Sequence, residues 1–569
     1  MSSTLPATPL SAVTALLSRL EAIVGRANVL TDGRVESFTQ GYREGGGEAV
    51  AVVRPGNLVE FWQAAQACVD EGAVVITQAA NTGLTGGSTP RGAYDRPVVI
   101  ISTLRLRGVR LIRDGDQVIC QAGASLIDLE DSLRPVGREP HSVIGSSCIG
   151  ASVVGGVCNN SGGALIRRGP AYTEYALYGE VGEDGRLRLR NHLGVKLPEA
   201  PEDMLRALEE GRFSEDDVID DGRSASAAET YENIVRDVDE ATPARFNADP
   251  SRLFEASGSA GKVIVFAVRM DAFPATSATR VFYVGTNQPE VFARLRRRFL
   301  QEADPLPISA EYIHREAFDL ADRYGRDTSA AVRWLGARRL TVLNEVKRRV
   351  DRAARRLGAA PVADRCLQAL GRCLPSPLSS RLHAFQSRFE HHLILSVEGE
   401  AAPEAERLLR EVTTDADADM MLCSAQEARQ AMLHRFAVAG AAVRRRAVDS
   451  RKVGDIIALD IALPRNAMDW FETLPPEIEA QLEGKLYYGH FFCHVFHQDY
   501  LVKAGVDVKR LKARLLKLID ARGAEYPAEH NVGHAYDAKP ALRDHYRRID
   551  PTNALNPGLG GTSRRRDWA

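Results

Sequence analysis

Three glycine-bearing bends crowd into about ninety residues and limit what this chain can build. The first is Ala79-Ala80-Asn81-Thr82-Gly83-Leu84-Thr85-Gly86-Gly87-Ser88, between the β-rich runs 73–79 and 97–103. The second is Gly145-Ser146-Ser147-Cys148-Ile149-Gly150-Ala151-Ser152, and the third Asn159-Asn160-Ser161-Gly162-Gly163. Glycine lacks a Cβ, so its backbone can approach a ligand closely, and successive loop N–H groups form concave nests for anions. One such loop is an ordinary turn. Three, spaced by short strands, predict a joint grip on the pyrophosphate of a dinucleotide. The βαβ nucleotide fold is excluded, because the first strand (49–55) runs into Gly56-Asn57 without G-x-G-x-x-G.

Around the bends, residues 57–70 carry Leu58, Phe61, Trp62, Ala65, Cys68 and Val69 at helical spacing. Runs 116–124 and 261–273 read as strands and 125–133 as a short helix, whereas 186–245 is polar and acidic and reads as an insertion. In the second half, 391–399, 455–464 and 485–497 read as strands and 404–412, 425–433 and 508–520 as helices. That alternation predicts one helical layer on one sheet, and the fold class is α+β. The 569 residues divide into an N-terminal helix (1–40), a first domain (41–275), a cap (276–332 and 390–520), a segment at 333–389 and a C-terminal stretch (521–569).

Charge is uneven. Lys plus Arg (73) nearly balances Asp plus Glu (75) over the chain, yet 333–389 holds thirteen basic and three acidic side chains, which leaves the rest at −12. Eight cysteines lack metal-type pairing, no secretory signal is read at the N-terminus, and no run of about 18 apolar residues occurs. The expectation is a cytoplasmic chain with reduced thiols and no transmembrane helix.

The run VVRPGN…VVITQAANTGLTGGSTP…IGSSCIGASVVGGVCNNSGG resembles the vanillyl-alcohol-oxidase (PCMH) type FAD-binding domain. GREPHSVIGSSCIGASVVGGVCNNSGGALIRRGPAYTE, with DPTNALNPG near the end, is similar to the respiratory quinone-dependent D-lactate dehydrogenases, over almost the whole chain. The resemblance implies a non-covalent FAD held by Ala79, Ala80, Asn81, Thr82, Gly83, Gly87, Ser88, Gly145, Ser152, Gly162 and Val265. His141 is read as a loop histidine without a flavin link. The segment 521–569 is expected to return to the flavin site.

Oxidising a 2-hydroxy acid removes a hydride from C2 while a base takes the hydroxyl proton, a task that suits histidine. Related flavin dehydrogenases supply that base from an E-H-G segment. Glu529-His530-Asn531-Val532-Gly533-His534 matches it in part, which points to His530 as base and His534 as a second candidate. For the substrate carboxylate a planar guanidinium fits, and Arg435 and Arg444, flanking FAVAGAAV, are the candidates. Wider relatives carry H-x-G-D-G-N-x-H, whose histidines join a glutamate on a divalent metal. His490 and His497 meet the spacing and Glu529 could complete the set, but the glycine-rich turn is missing. On a continuous strand, residues seven apart face opposite ways unless a bulge intervenes. Packed or substrate-lining histidines are therefore expected, and a metal is left open.

Trp334, Leu335, Leu340, Val342, Leu343, Val350 and Leu357 interleave with the basic charge at 333–389, which fits a helical segment binding an anionic phospholipid surface. No stacking platform or finger motif supports nucleic acid. The expected function is oxidation of D-lactate to pyruvate with electrons passed to a membrane quinone, ubiquinone or menaquinone, by a peripheral protein on the cytoplasmic face of the inner membrane. Two alternatives stand: an FAD dehydrogenase of another D-2-hydroxy acid, and a non-catalytic basic membrane- or nucleic-acid-binding protein on a flavin scaffold.

Overall fold

A computed structural model describes residues 10–41, 43–44, 46–142, 150–276, 278–326, 363–414 and 416–569. The helix expected at 57–70 is Leu58–Asp70. Asn57 caps it by accepting a hydrogen bond from the Glu60 backbone N–H, and Leu58, Phe61, Trp62, Ala65, Cys68 and Val69 are all buried. Phe61 packs on Phe266 with ring centroids 4.8 Å apart. This helix covers a four-stranded sheet in which Ala51–Val53, Val98–Ser102 and Val74–Gln78 run parallel, with Val29–Leu30 antiparallel at one edge. Beside it lies an antiparallel five-stranded sheet in the order Leu187–His192, Ala176–Val181, Ile264–Asp271, Gln117–Gln121, Val109–Ile112.

The third sheet has seven antiparallel strands in the order Ala418–Leu422, Thr279–Thr286, His391–Glu398, Ser309–His314, Leu482–His490, Val495–Lys503, Val453–Ala462. Helices cover both of its faces, not one as the sequence pattern suggested. Phe282, Val284, Leu393 and Leu395 share a core with helices Pro289–Glu302 and Ala402–Thr413. Their neighbours Val281, Tyr283, Ile394 and Ile313 pack on Arg315–Tyr324, Ser380–Arg388 and Ala425–Val448. Both strand faces are thus apolar, which hides the period of two from a reader of the sequence.

Two further expectations are corrected. The run read as one strand at 485–497 is a hairpin: Leu482–His490 turns through Phe491–Cys493 and His494 (φ 53°) into Val495–Lys503. The stretch 186–245 supplies a strand and two amphipathic helices. Met204, Leu205 and Leu208 of Pro201–Glu210 enter the first lobe's core, and Tyr231 and Val235 of Ala228–Arg236 enter the larger one. Charged outer faces dilute these helices in any composition average. The C-terminal stretch closes on the first lobe, where Leu555 bridges Val75 and Asn556 donates to the Gly87 (2.7 Å) and Ala260 (2.8 Å) carbonyls.

Candidate active site

The first bend is braced from within. Asn81, in the left-handed region (φ 53°), donates to the Gln40 carbonyl at 2.8 Å and accepts from the Ser88 hydroxyl at 3.1 Å, while Gln78 donates to the Ser88 carbonyl at 2.7 Å. Ala79, Ala80, Asn81 and Thr82 are half-buried and Gly83 is exposed, so the loop remains open to a ligand. A Cβ built on Gly150 would lie 3.9 Å from the Ala80 Cβ, which places the first and second bends side by side. Ser152 caps Val153–Cys158, accepting from the Gly155 N–H, and Val265 is buried on Ile264–Asp271 opposite Tyr178. Gly145 lies outside the described residues, as do Trp334 through Leu357 of the basic segment. His141 is buried and pushed down to about 3, chiefly by burial and secondarily by Arg168, so its ring is neutral.

Two glycines are required by contact rather than by turn geometry. A Cβ at Gly87 would sit 2.3 Å from the Asn531 Nδ2, and one at Gly162 would sit 2.7 Å from the Glu529 Oε1 and 2.8 Å from the Arg245 Nε. The first and third bends therefore press directly on the segment 529–534. Asn531, the residue that departs from E-H-G, joins them: its Oδ1 accepts from the Thr85 hydroxyl at 3.0 Å and its Nδ2 donates to the Asn159 Oδ1 at 2.7 Å. These bends, open on one side and buttressed on the other, fit an elongated flavin nucleotide.

Beyond 529–534 lies a buried charged cluster on two adjoining rungs of the large sheet. Register pairs Glu311 with His490, Tyr488 with His497, and Asp460 with His497. Because the hairpin folds 490 and 497 onto adjacent strands, both rings reach the same face, 5.4 Å apart. The opposite-face expectation fails for that reason. The His490 Nδ1 lies 2.6 Å from Glu311, and its Nε2 3.3 Å from the Glu529 Oε2. The His497 Nδ1 lies 3.3 Å from Asp460, and its Nε2 3.9 Å from Glu529. His530 stacks on His497 with centroids 6.3 Å apart, and Asp460, His497 and His530 offer atoms within 4.8 Å of one another. Asp460 also accepts the Glu529 backbone N–H at 2.8 Å, which fixes the loop that carries His530.

The electrostatics follow from burial and pairing. Burial opposes a charge on Glu529, but His490 and Arg245 outweigh it and hold the carboxyl well below its usual range. Burial likewise opposes charge on His490, yet Glu311 and Glu529 raise it to about 10. For Asp460 burial is overcome first by His530 and then by His497, so the carboxylate is ionised.

Arg435, of the two arginines singled out, reaches this cluster: it pairs with the Glu311 Oε2 at 3.0 Å and lies over the Tyr488 ring at 4.7 Å. Arg444, nine residues along the same helix, pairs instead with Asp364 at 3.0 Å and lies apart. His534 sits beneath the first bend, its Nε2 2.8 Å from the Thr89 carbonyl and its N–H on the Thr85 carbonyl, so it braces the loop. Sequence reasoning missed Arg245, Glu311 and Asp460. Asp460 had a signal, as an acid flanked on both sides by apolar residues within DIIALDIALP; Arg245 had none, buried in a stretch read as an insertion.

Three glycine-bearing bends facing a histidine–carboxylate cluster fit an FAD-dependent oxidoreductase with the vanillyl-alcohol-oxidase type of fold. The family described as "FAD binding domain" matches residues 49–177, and that described as "D-lactate dehydrogenase, membrane binding" matches 281–568. Among solved structures, an alkyldihydroxyacetonephosphate synthase is 12% identical with a TM-score of 0.59 over 98% of this chain and 86% of its own. A p-cresol methylhydroxylase is 11% identical with a TM-score of 0.59 over 98% of each chain, and both likenesses concern the fold. Quinone-dependent D-lactate dehydrogenases of Haemophilus influenzae and Escherichia coli are 52% and 50% identical over 97% of this chain and 99% and 98% of theirs. The chain belongs to the quinone-dependent D-lactate dehydrogenase family.

Proposed function

We propose that the protein oxidises D-lactate to pyruvate and delivers the electrons to a membrane quinone. Bound FAD supplies the two-electron acceptor. His530, whose ring stacks on His497 and converges with it on Asp460, takes the hydroxyl proton, and the Asp460 carboxylate stabilises the imidazolium that forms. Positive charge for the substrate carboxylate comes from His490, kept protonated between Glu311 and Glu529, with Arg435 behind Glu311. The observation that carries this reading is the contact of Gly87 and Gly162 with Asn531 and Glu529, which sets the base-bearing segment against the flavin bends.

Purified protein should be yellow and should turn over D-lactate with a soluble quinone, at least tenfold faster than L-lactate or D-2-hydroxyglutarate (about 1.4 kcal/mol of discrimination). Faster D-2-hydroxyglutarate turnover would replace the substrate and keep the flavin. Colourless protein that refuses FAD would end the proposal. Among the described residues no helix is long and apolar enough to cross a membrane, and peripheral attachment to anionic phospholipid on the cytoplasmic face is part of this reading.

The hairpin favours a second reading of the same cluster. The Nε2 atoms of His490 and His497 converge with a Glu529 oxygen within 4.8 Å, and each Nδ1 is engaged by a carboxylate, the outer support that metal-binding histidines use. A divalent cation there would supply the positive charge in place of protonated His490. Elemental analysis of protein purified without chelator decides between them: about one equivalent of metal, lost in His497→Ala, supports the cation, and its absence supports the imidazolium.

A further inference from the structure

The run DPTNALNPG and the residues that follow it are tied to the first lobe through one buried lysine. Lys262 and Asp550 both lie out of reach of solvent. The Lys262 Nζ donates to the Asn553 Oδ1 at 2.6 Å and stands 3.5 Å from the Asp550 Oδ2. The Trp568 ring covers the ammonium, 4.4 Å from Nζ to the centroid, and the Trp568 Nε1 donates to the Asp550 carbonyl at 2.9 Å. The Asp550 carboxylate accepts in turn from the backbone N–H groups of Ala554 at 3.0 Å and Leu555 at 2.9 Å. Asn553, in the left-handed region (φ 53°), donates through Nδ2 to the Ser563 and Arg565 carbonyls, each at 2.8 Å. Residues 550–569 therefore wrap around the Lys262 ammonium as one knot.

The knot touches each part of the site that has to be aligned. Asn556 draws together the Gly87 carbonyl of the first bend and the Ala260 carbonyl. Lys262 stands three residues before Val265, the strand residue expected to meet FAD. The Gly560 N–H donates to the Gly533 carbonyl at 2.7 Å, which fastens the segment that carries His530. A charged pair is a costly way to hold a tail. Burial, the largest cause for each, pulls Lys262 down to about 8 and pushes Asp550 up. Buried pairs of this kind contribute little stability that apolar packing would not. What an ammonium adds is direction, since it holds Asp550, Asn553 and the face of Trp568 in a single arrangement.

We propose that Lys262 and Asp550 are positioning residues for the cofactor, and that docking of residues 550–569 and binding of FAD form one coupled equilibrium. The inference rests on the reading that the glycine bends hold FAD. Loosening the knot releases the Gly87 and Gly533 carbonyls together, so the first bend and the base-bearing segment lose their common anchor. Linked equilibria are reciprocal: FAD must tighten the knot by the same factor by which the knot tightens FAD.

The test uses the full-length holoenzyme. K262M/D550N removes both charges and leaves neither unpaired, and W568A removes the ring cover and the Nε1 donor. Flavin release, followed as the recovery of free-FAD fluorescence on dilution, should be at least tenfold faster in K262M/D550N and at least threefold faster in W568A. Hydrogen exchange resolved by peptide gives a readout that general destabilisation does not. In wild type, FAD should slow exchange across 550–569 at least tenfold while the helix Leu58–Asp70 changes less than twofold, and both variants should lose that protection. Flavin release at the wild-type rate in both variants overturns the proposal. So does equal exchange of 550–569 with and without FAD. Protection that extends uniformly to Leu58–Asp70 overturns it as well, because FAD then stabilises the whole lobe and not the knot. Should K262M/D550N fail to fold, W568A and the wild-type exchange comparison decide. FAD binding untouched by Gly162→Ala would remove the assignment of the bends, and this inference with it.

Discussion

At the scale of single residues, the site is organised around charges that would be costly alone. Arg245 and Glu529 pair while each is almost completely buried, and Arg245 also donates to the Gly163 carbonyl at 2.7 Å. Removing one partner leaves the other charge uncompensated, so Arg245→Ala should lower stability by about 3–5 kcal/mol, whereas E529Q, which leaves the guanidinium a neutral acceptor, should cost less. Urea unfolding of both variants checks the order. For chemistry, His530→Ala should reduce kcat by about 10²–10⁴-fold with little change in flavin content. Asp460→Asn should act in the same direction, because the carboxylate that stabilises the imidazolium formed on His530 is gone. A visible spectrum confirming bound flavin in both variants separates loss of the base from loss of the cofactor.

At the scale of elements, Leu58–Asp70 and the hairpin make contrasting cases. The helix announces itself through cap and spacing, and Phe61→Ala, which removes a buried ring packed on Phe266, should cost about 3–5 kcal/mol and leave KM for D-lactate unchanged. The hairpin announces nothing, since KLYYGHFFCHVFHQDY has neither Asn-Gly nor Gly at its turn. His494 takes the positive φ instead, and its Nδ1 lies 2.9 Å from the Pro464 carbonyl, fully buried. Gly162 shows a further kind of legibility. Its glycine was readable, but the reason for it is the approach of Glu529 and Arg245 from distant sequence. Gly162→Ala should therefore disturb flavin binding and the charged pair together, visible as loss of yellow colour alongside a lowered Tm.

At the scale of the whole molecule, acid sensitivity follows from histidines buried in neutral form. Burial, the largest cause in each case, holds His391 and His392 at about 3 and His434 at about 4, against 6.5 for a solvated ring. Between those values the unfolded chain binds protons that the folded chain refuses. Stability is then fully present above pH 6.5 and falls as pH drops, by about 1.4 kcal/mol per pH unit for each such ring. The urea midpoint should decline steadily from pH 7 to 5, and His392→Phe should flatten that decline. A midpoint independent of pH over this range would contradict the buried neutral rings.

What the sequence determined by itself was local: glycine bends spaced for a nucleotide, an amphipathic helix with its cap, a basic segment, and a histidine-bearing loop at 529–534. Each depends on neighbouring residues, so spacing along the chain is enough to expose it. Tertiary structure decided which groups meet. Only the folded sheet turns His490 and His497 to one side, only the returning loop brings Glu529 to Arg245, and only packing assigns Arg435 inward to Glu311 and Arg444 to Asp364. Those contacts join residues up to 284 positions apart. They are set by strand register and burial, and no pattern in the linear sequence carries either.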